Sequence, residues 1–190
     1  MHQVWSTFQL TTDSYVLDVG GTRKIWSLLP TQPRLVFLNL LPPNEEEDGM
    51  ADVFGNACRL PFKDAAFDLV FSNSLIEHLY TLEHQQEFAD ECRRVGHNYF
   101  VQCPNRHFPV EPHLLTPFIH WFPRTFQVRL LRNFTIWGWL TRPDPSQCDQ
   151  FVNEVRMITV RELRTLFPEA NIWREKVAGL TKSIMAVKCH

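Results

Sequence analysis

The stretch "YVLDVGGTRKIW", residues 15–26, joins an apolar run to a glycine pair and then to a polar segment. The run "YVLDV" is rich in β-branched and aromatic residues, which is typical of a buried strand. Asp18 lies at the end of that strand, and Gly20 and Gly21 follow it. Because glycine has no Cβ, the backbone can approach a ligand closely at such a turn. Whether this turn binds a ligand has to be judged from the rest of the chain.

Further apolar runs, separated by turn signals, predict six more strands. They are "RLVFLNLL" (34–41), "ADVFGN" (51–56), "FDLVFSN" (67–73), "NYFVQC" (98–103), "ANIWRE" (170–175) and "SIMAVKC" (183–189). An amphipathic pattern predicts a helix over 79–95, and the capping-box pair Thr159 and Glu162 predicts the start of another. Strands that are apolar on both faces and alternate with helices favour an α/β fold, with a mostly parallel seven-stranded sheet covered by helices on both faces.

The loops that follow the first five strands are predicted to lie together. Ligands of parallel sheets bind outside the carboxyl ends of the strands, so these loops share one candidate site. They cover residues 20–23, 39–41, 56–59, 73–78 and 104–113.

Length and composition narrow the class of protein. A chain of 190 residues predicts one domain, and a net charge of -2 argues against a general nucleic-acid binder. The five cysteines are odd in number and widely spaced, without a CxxC pair, which favours reduced thiols over a disulfide framework or a zinc site. The first residues do not resemble a signal peptide, and no apolar run is long enough to span a membrane. We therefore predict a cytoplasmic protein.

Three stretches resemble class I S-adenosylmethionine-dependent methyltransferases of the methyltransferase-11-like type. They are "VLDVGGT" (16–22), "GNACRLPFKDAAFDLVFSNSLIEHL" (55–79) and "ECRRVGHNYFVQCPNRHFPVEPH" (91–113). The second is the most specific, because a long motif keeps its order and spacing. The resemblance covers about residues 14–189. It implies a Rossmann-like fold, S-adenosyl-L-methionine as cofactor, and methyl transfer as the reaction.

The resemblance also implies which residues bind the cofactor. They are Asp18, Gly20, Gly21, Thr22, Asn39, Leu40, Asn56, Ala57, Cys58 and Asn73. Asn39 and Asn56 replace the acids that the family usually has. Their amides can still hydrogen-bond to ribose and adenine, but without a charge-assisted pair, which predicts binding weaker by about 1–2 kcal/mol per site.

The polar segment after the glycines departs further from the family. Thr22, Arg23 and Lys24 replace additional glycines. Either Arg23 or Lys24 pairs with the methionine carboxylate, or both are exposed. A nicotinamide cofactor is a poorer alternative, because the G-x-G-x-x-G spacing is missing and the second strand offers no acid for a ribose.

Two histidines are candidate catalytic bases, His78 in "SLIEHL" and His113 beside Glu111. An imidazole suits removal of a proton from a methyl acceptor. The alternatives are a packed residue at a helix start for His78 and an ordered loop residue for His113. Some relatives bind a divalent ion through a Glu-x-x-Glu-His run, but Ser74 occupies the first Glu position here, so we predict no metal.

Residues 114–140 are unusually aromatic and lie within a predicted insertion at about 106–145. Seven aromatic residues stand among three arginines, with no acidic residue. Three interpretations remain open: a lid over a bulky apolar acceptor, a patch that contacts anionic lipid, or a helical layer on the core. The first two favour a small-molecule or lipid-linked glycan acceptor. The alternative function is a non-methylating protein of the same fold. The sequence does not indicate an oligomeric state.

Overall fold

The computed structural model describes residues 1–29, 31–40, 51–111 and 113–189. The strands are β1 Tyr15–Val19, β2 Arg34–Asn39, β3 Ala51–Phe54, β4 Phe67–Asn73, β5 Gly96–Pro104, β6 Val110–Glu111, β7 Thr116–Pro117, β8 Asn171–Val177 and β9 Leu180–Lys188. The helices are α1 His2–Thr7, α2 Arg23–Trp26, α3 Leu82–Val95, α4 Arg124–Phe134, α5 Ile136–Thr141, α6 Pro145–Glu154 and α7 Val160–Leu166. Single 3₁₀ turns cover Ile76–His78 and Ile119–Trp121.

Seven strands form one sheet in the order β3-β2-β1-β4-β5-β9-β8, in which β9 runs antiparallel to β5 and β8 and the other neighbouring pairs are parallel. The predicted α/β class, with its mostly parallel seven-stranded sheet, is confirmed. β1 and β4 have the predicted bounds. β2 ends at Asn39 rather than at residue 41, which lies outside the described residues.

Helices cover both faces of the sheet, as predicted, but unequally. On one face, α3 and α7 bury large side chains such as Phe88 and Leu163 against the central strands. On the other face, α1 and the single turn α2 contribute Val4 and Trp26. The capping box of Thr159 and Glu162 starts α7 as predicted.

The helices between β5 and α7 have a small core of their own. Its buried members are Leu114, Ile119, Leu131, Cys148 and Val152. We call residues 113–154 the lid. It includes α6, which packs on α4 and extends past the predicted boundary at residue 145.

None of the five cysteines forms a disulfide. Among the described residues, no helix is long and apolar enough to cross a membrane.

Candidate active site

The sheet register places three predicted cofactor residues side by side. Val19 is level with Leu38, and Asp18 with Phe71, in parallel pairs. Continuing both pairings brings Gly20 level with Asn39 at the end of β2 and with Asn73 at the end of β4. A hydrogen bond from Gly20 N to Leu38 O, 2.9 Å long, fixes this alignment. The carboxyl edge of the sheet thus brings together the residues that the sequence singled out separately.

The glycine turn is shaped by packing inside the protein. The Asp18 carboxylate is fully buried, and its Oδ2 accepts a 2.7 Å hydrogen bond from Trp26 Nε1. A Cβ on Gly21 would lie 2.1 Å from both Asp18 oxygens. Gly20 has φ +77°, and a Cβ there would lie 2.9 Å from Leu75 Cδ1. Both glycines are therefore required by the turn itself. The Asp18 side chain packs directly against Gly21, and its role in cofactor binding stays a prediction.

The amides that replace the family's acids have partners within the protein. Asn39 Nδ2 donates to Gly21 O over 3.3 Å, which leaves the side-chain oxygen for a ligand. Asn56 is exposed, and its Oδ1 accepts a 2.9 Å hydrogen bond from Cys58 N. This oxygen retains one lone pair for an adenine amino group. Each amide oxygen can therefore still accept a hydrogen bond from a ligand, and Asn39 Nδ2 retains a second N–H that can donate one.

Residues 22–24, which follow the glycine pair, point away from the carboxyl edge of the sheet. Thr22 and Lys24 are exposed. Arg23 stacks over the Phe37 ring at 5.2 Å and pairs with Asp52, on the face that also buries Trp26. Pairing of Arg23 with a methionine carboxylate is therefore not supported.

The other predicted cofactor residues differ in accessibility. Leu40 is 77% exposed, whereas Ala57 is buried. Cys58 is half-buried, and burial raises the pKa of its thiol to about 11, so it is not a reactive thiolate. The side-chain oxygen of Asn73 is buried without a hydrogen-bond partner among the described residues. This oxygen, at the carboxyl edge of the sheet, is therefore suited to accept a hydrogen bond from a donor group of a ligand.

The two predicted histidines meet in a polar cluster with two glutamates. The rings of His78 and His113 have their centroids 5.1 Å apart. His113 Nδ1 lies 2.6 Å from Glu111 Oε1, and the other oxygen of Glu111 accepts from Leu114 N. Because the carboxylate holds Nδ1, the Nε2 atom of His113 is left to exchange a proton with a ligand.

Burial and charge set the protonation states of this cluster. Burial raises the pKa of Glu77 from 4.5 to about 7, although the Ser74 hydroxyl favours the charged form. Neither carboxylate oxygen of Glu77 has a hydrogen bond of normal geometry among the described residues. The hydrogen bond to Glu111 raises the pKa of His113 above its ordinary value. Burial and the nearby His113 lower the pKa of His78. The cluster therefore combines His78, whose pKa is lowered, with a glutamate and a second histidine whose pKa values are both raised.

Glu77, His78 and His113 could also hold a metal ion. One ligand atom from each lies within 4.8 Å of the others. Three ligands of these types suit a divalent cation, with positions left for water or substrate. That the protein uses no metal stays a prediction.

Two residues that sequence reasoning missed hold this cluster in place. Gln85 is fully buried, and its Nε2 donates to Ile76 O and Arg156 O. The Arg156 guanidinium donates to Gln85 Oε1 and to Glu162 Oε1, and its backbone N donates to Glu77 O. The sequence did contain a signal for Gln85, because it is a polar residue on the otherwise apolar face of α3, three positions before Phe88.

A cavity of about 310 Å³ lies between the loop after β5 and the lid. Glu111 lines it, and the ring of Phe151, another lining residue, stands 6.5 Å from the ring of His113. The lid is tied to the β5 loop because Trp121 Nε1 and His120 Nε2 each lie 3.0 Å from Arg106 O. The cavity thus adjoins the polar cluster and offers room for a small ligand.

Comparison with known proteins supports one family. Residues 38–98 match the family model described as Methyltransferase domain, Methyltransf_11. A curated protein of Encephalitozoon cuniculi, whose given name is that of a methyltransferase, is 36% identical over 86 residues, which are 45% of this chain and 41% of that protein. The chain thus spans less than half of that relative.

Two solved structures share the fold over the whole chain. An S-adenosylmethionine-dependent methyltransferase of Methanosarcina mazei aligns with a TM-score of 0.57 and 14% identity, covering 100% of this chain and 98% of the other. A methyltransferase of Haloferax volcanii, solved in complex with the Trm112 methyltransferase activator, gives 0.57 and 13%, covering 100% and 88%.

The predicted resemblance is therefore confirmed. The strand order and the glycine turn after β1 agree with it, whereas Asn39 and Asn56 depart from the acids that the family usually has. The chain has the fold of the class I S-adenosylmethionine-dependent methyltransferases, and its residues 38–98 match the model of the Methyltransferase domain family.

Proposed function

We propose that this chain transfers a methyl group from S-adenosyl-L-methionine to a small-molecule acceptor. The observation that carries the proposal is the carboxyl edge of the sheet, where Gly20, Asn39 and Asn73 lie level within a chain that matches the methyltransferase family model. The bound cofactor supplies a sulfonium whose methyl group is already activated. The protein's part is to bind and orient it beside the acceptor, because positioning provides much of the rate.

Calorimetry with S-adenosylhomocysteine tests cofactor binding. We expect heat from the wild-type chain and a 2–10-fold weaker affinity for Asn73→Ala, since one neutral hydrogen bond contributes about 0.5–1.5 kcal/mol. Asn171→Ala, at the start of β8 and hence at the opposite edge of the sheet, is the matched control. Absence of heat from the wild type at high-micromolar ligand would instead favour a non-methylating protein of this fold.

We assign the proton transfer to His113. If the acceptor must lose a proton, Nε2 of His113 accepts it while Glu111 holds the ring from Nδ1 and stabilises the imidazolium. Glu111 is thus a positioning residue. Glu77 and His78 surround the same imidazole and influence its charge.

The surface of the lid supports an apolar or lipid-linked acceptor. Nine large apolar side chains of segment 115–140 are exposed: Leu115, Phe118, Trp121, Phe122, Phe126, Phe134, Ile136, Trp139 and Leu140. The charges of this segment, Arg124, Arg129 and Arg132, are all positive and exposed. A cationic surface with projecting aromatic residues complements an anionic membrane surface. We propose that the lid contacts such a membrane peripherally.

Vesicle co-sedimentation tests the membrane contact. We expect the double variant Phe134→Ala/Leu140→Ala to bind vesicles of phosphatidylglycerol at least about ten-fold more weakly than wild type, because burial of each side chain contributes about 1.5 kcal/mol or more. Phe54→Ala/Leu28→Ala removes the same pair of side-chain types outside the lid, where they are 54% and 70% exposed, and should bind like wild type. Equal binding by both double variants would refute the proposal.

A further inference from the structure

The cavity beneath the lid carries positive charge that the protein does not neutralise. Three arginines line it: Arg106, Arg124 and Arg156. Arg156 pairs with Glu162, and the one lining carboxylate, Glu111, is held by His113. Arg124 donates to the neutral Asn153 Oδ1 over 3.2 Å. Among the described residues, neither Arg106 nor Arg124 has a carboxylate partner.

The position of Arg124 adds a second argument. It is the first residue of α4, an 11-residue helix whose N-cap, Pro123, provides no side-chain cap. A cation at a helix N-terminus opposes the helix dipole, and the unsatisfied N–H groups of the first turn favour an anion there. The guanidinium of Arg124 therefore lies at the end of α4 where an anion, rather than a cation, would stabilise the helix.

The remaining walls are largely apolar and include three aromatic side chains. Trp121, Phe122 and Phe151 line the cavity beside the two arginines. Guanidinium groups bind carboxylates and phosphates through paired hydrogen bonds, and aromatic faces stack on planar ligands.

We propose that this cavity binds an anionic acceptor, in which a carboxylate or phosphate held by Arg106 and Arg124 is attached to a planar apolar body that packs on the aromatic wall. As a statement about the methyl acceptor, this rests on the proposed function, whereas anion binding itself does not. The adjoining His113 would then lie beside the acceptor's reactive group.

Calorimetry with phenyl phosphate, on the full chain without cofactor, tests the proposal. We expect binding that weakens with added salt and falls at least ten-fold in Arg106→Gln/Arg124→Gln. The charge-matched control is Arg129→Gln/Arg132→Gln, exposed on the same helix but outside the cavity. Benzyl alcohol, which keeps the ring without the charge, should bind at least ten-fold more weakly than phenyl phosphate.

Phosphatidylglycerol vesicles form the second arm, because the anion can belong to a dissolved acceptor or to a lipid headgroup. Loss of phenyl phosphate binding confined to the cavity pair supports a dissolved acceptor. Arg129 and Arg132 belong to the proposed membrane-contact surface, so both pairs should weaken vesicle binding, and a loss at least ten-fold larger in the cavity pair supports a headgroup. If the cavity pair and the control pair behave alike in both arms, or if benzyl alcohol binds as tightly as phenyl phosphate, the proposal is overturned. Failure to bind S-adenosylhomocysteine would refute the proposed function and leave this anion site standing.

Discussion

Gly21→Ala is expected to destabilise the protein by roughly 3 kcal/mol and to abolish binding of S-adenosylhomocysteine. The added methyl group would lie 2.1 Å from both oxygens of Asp18, in a fully buried position where Trp26 holds the carboxylate. Overpacking of this kind typically costs about 1–3 kcal/mol, and here two oxygens resist at once. Urea denaturation followed by tryptophan fluorescence measures the stability, and calorimetry measures the binding.

Two further variants show whether this contact is the cause. Gly179→Ala introduces a methyl group with no atom within 4 Å, so only the left-handed conformation, φ +80°, should cost about 1–2 kcal/mol. Adding Asp18→Ala to Gly21→Ala removes the clash, and we expect the double variant to be less destabilised than the sum of the single variants. Strict additivity would show that Asp18 is not what restricts residue 21.

Glu77→Gln is expected to become more stable, relative to wild type, as the pH rises from about 4 to 8. The pKa of Glu77 is raised in the folded state from 4.5 to about 7. The folded protein therefore binds this proton more tightly than the unfolded chain does. The stability due to the neutral carboxyl is complete below about pH 4.5 and is lost as the pH passes through 7. Glutamine does not titrate, so the difference between the two proteins should change by roughly 3 kcal/mol across this range.

Urea denaturation at several pH values, in buffer with a chelator, measures this difference. Glu83→Gln, at an exposed position on α3, is the matched control. If the stability difference between Glu77→Gln and wild type does not change with pH, solvent or an ion already satisfies this carboxyl group.

NMR titration should give a pKa for His113 above its ordinary 6.5, and a lower one in Glu111→Gln. A wild-type pKa at or below 6.5 would contradict the assignment of His113 as a base oriented by Glu111.

Much of the fold follows from local patterns in the sequence. The central strands β1 and β4 begin and end where their apolar runs do, because both are buried on two faces and bounded by turns. The helix α3 begins three residues later than predicted, because Thr81 caps it through His84 N while residues 76–78 form a separate 3₁₀ turn. Spacing alone does not distinguish one continuous helix from a turn followed by a capped helix.

The site was predicted less completely, for reasons of long-range packing. The sequence identified Asn39, Asn56 and Asn73, but it did not show that the first two would already bond to Gly21 and Cys58. It named His78 and His113, yet their contact depends on the way in which the loop after β5 folds back over the 3₁₀ turn. Arg156 lies 71 positions from its partner Gln85, a distance at which no periodic pattern carries information.

The separate core of the lid has an evolutionary consequence. Residues such as Leu131 and Cys148 pack among themselves, apart from the side chains that hold the sheet together. Substitutions in this core can therefore change the lid without disturbing the packing of the sheet, which includes the residues 38–98 that the family model matches. The separate packing of the lid thus allows its surface to diverge in evolution while the carboxyl edge of the sheet is retained.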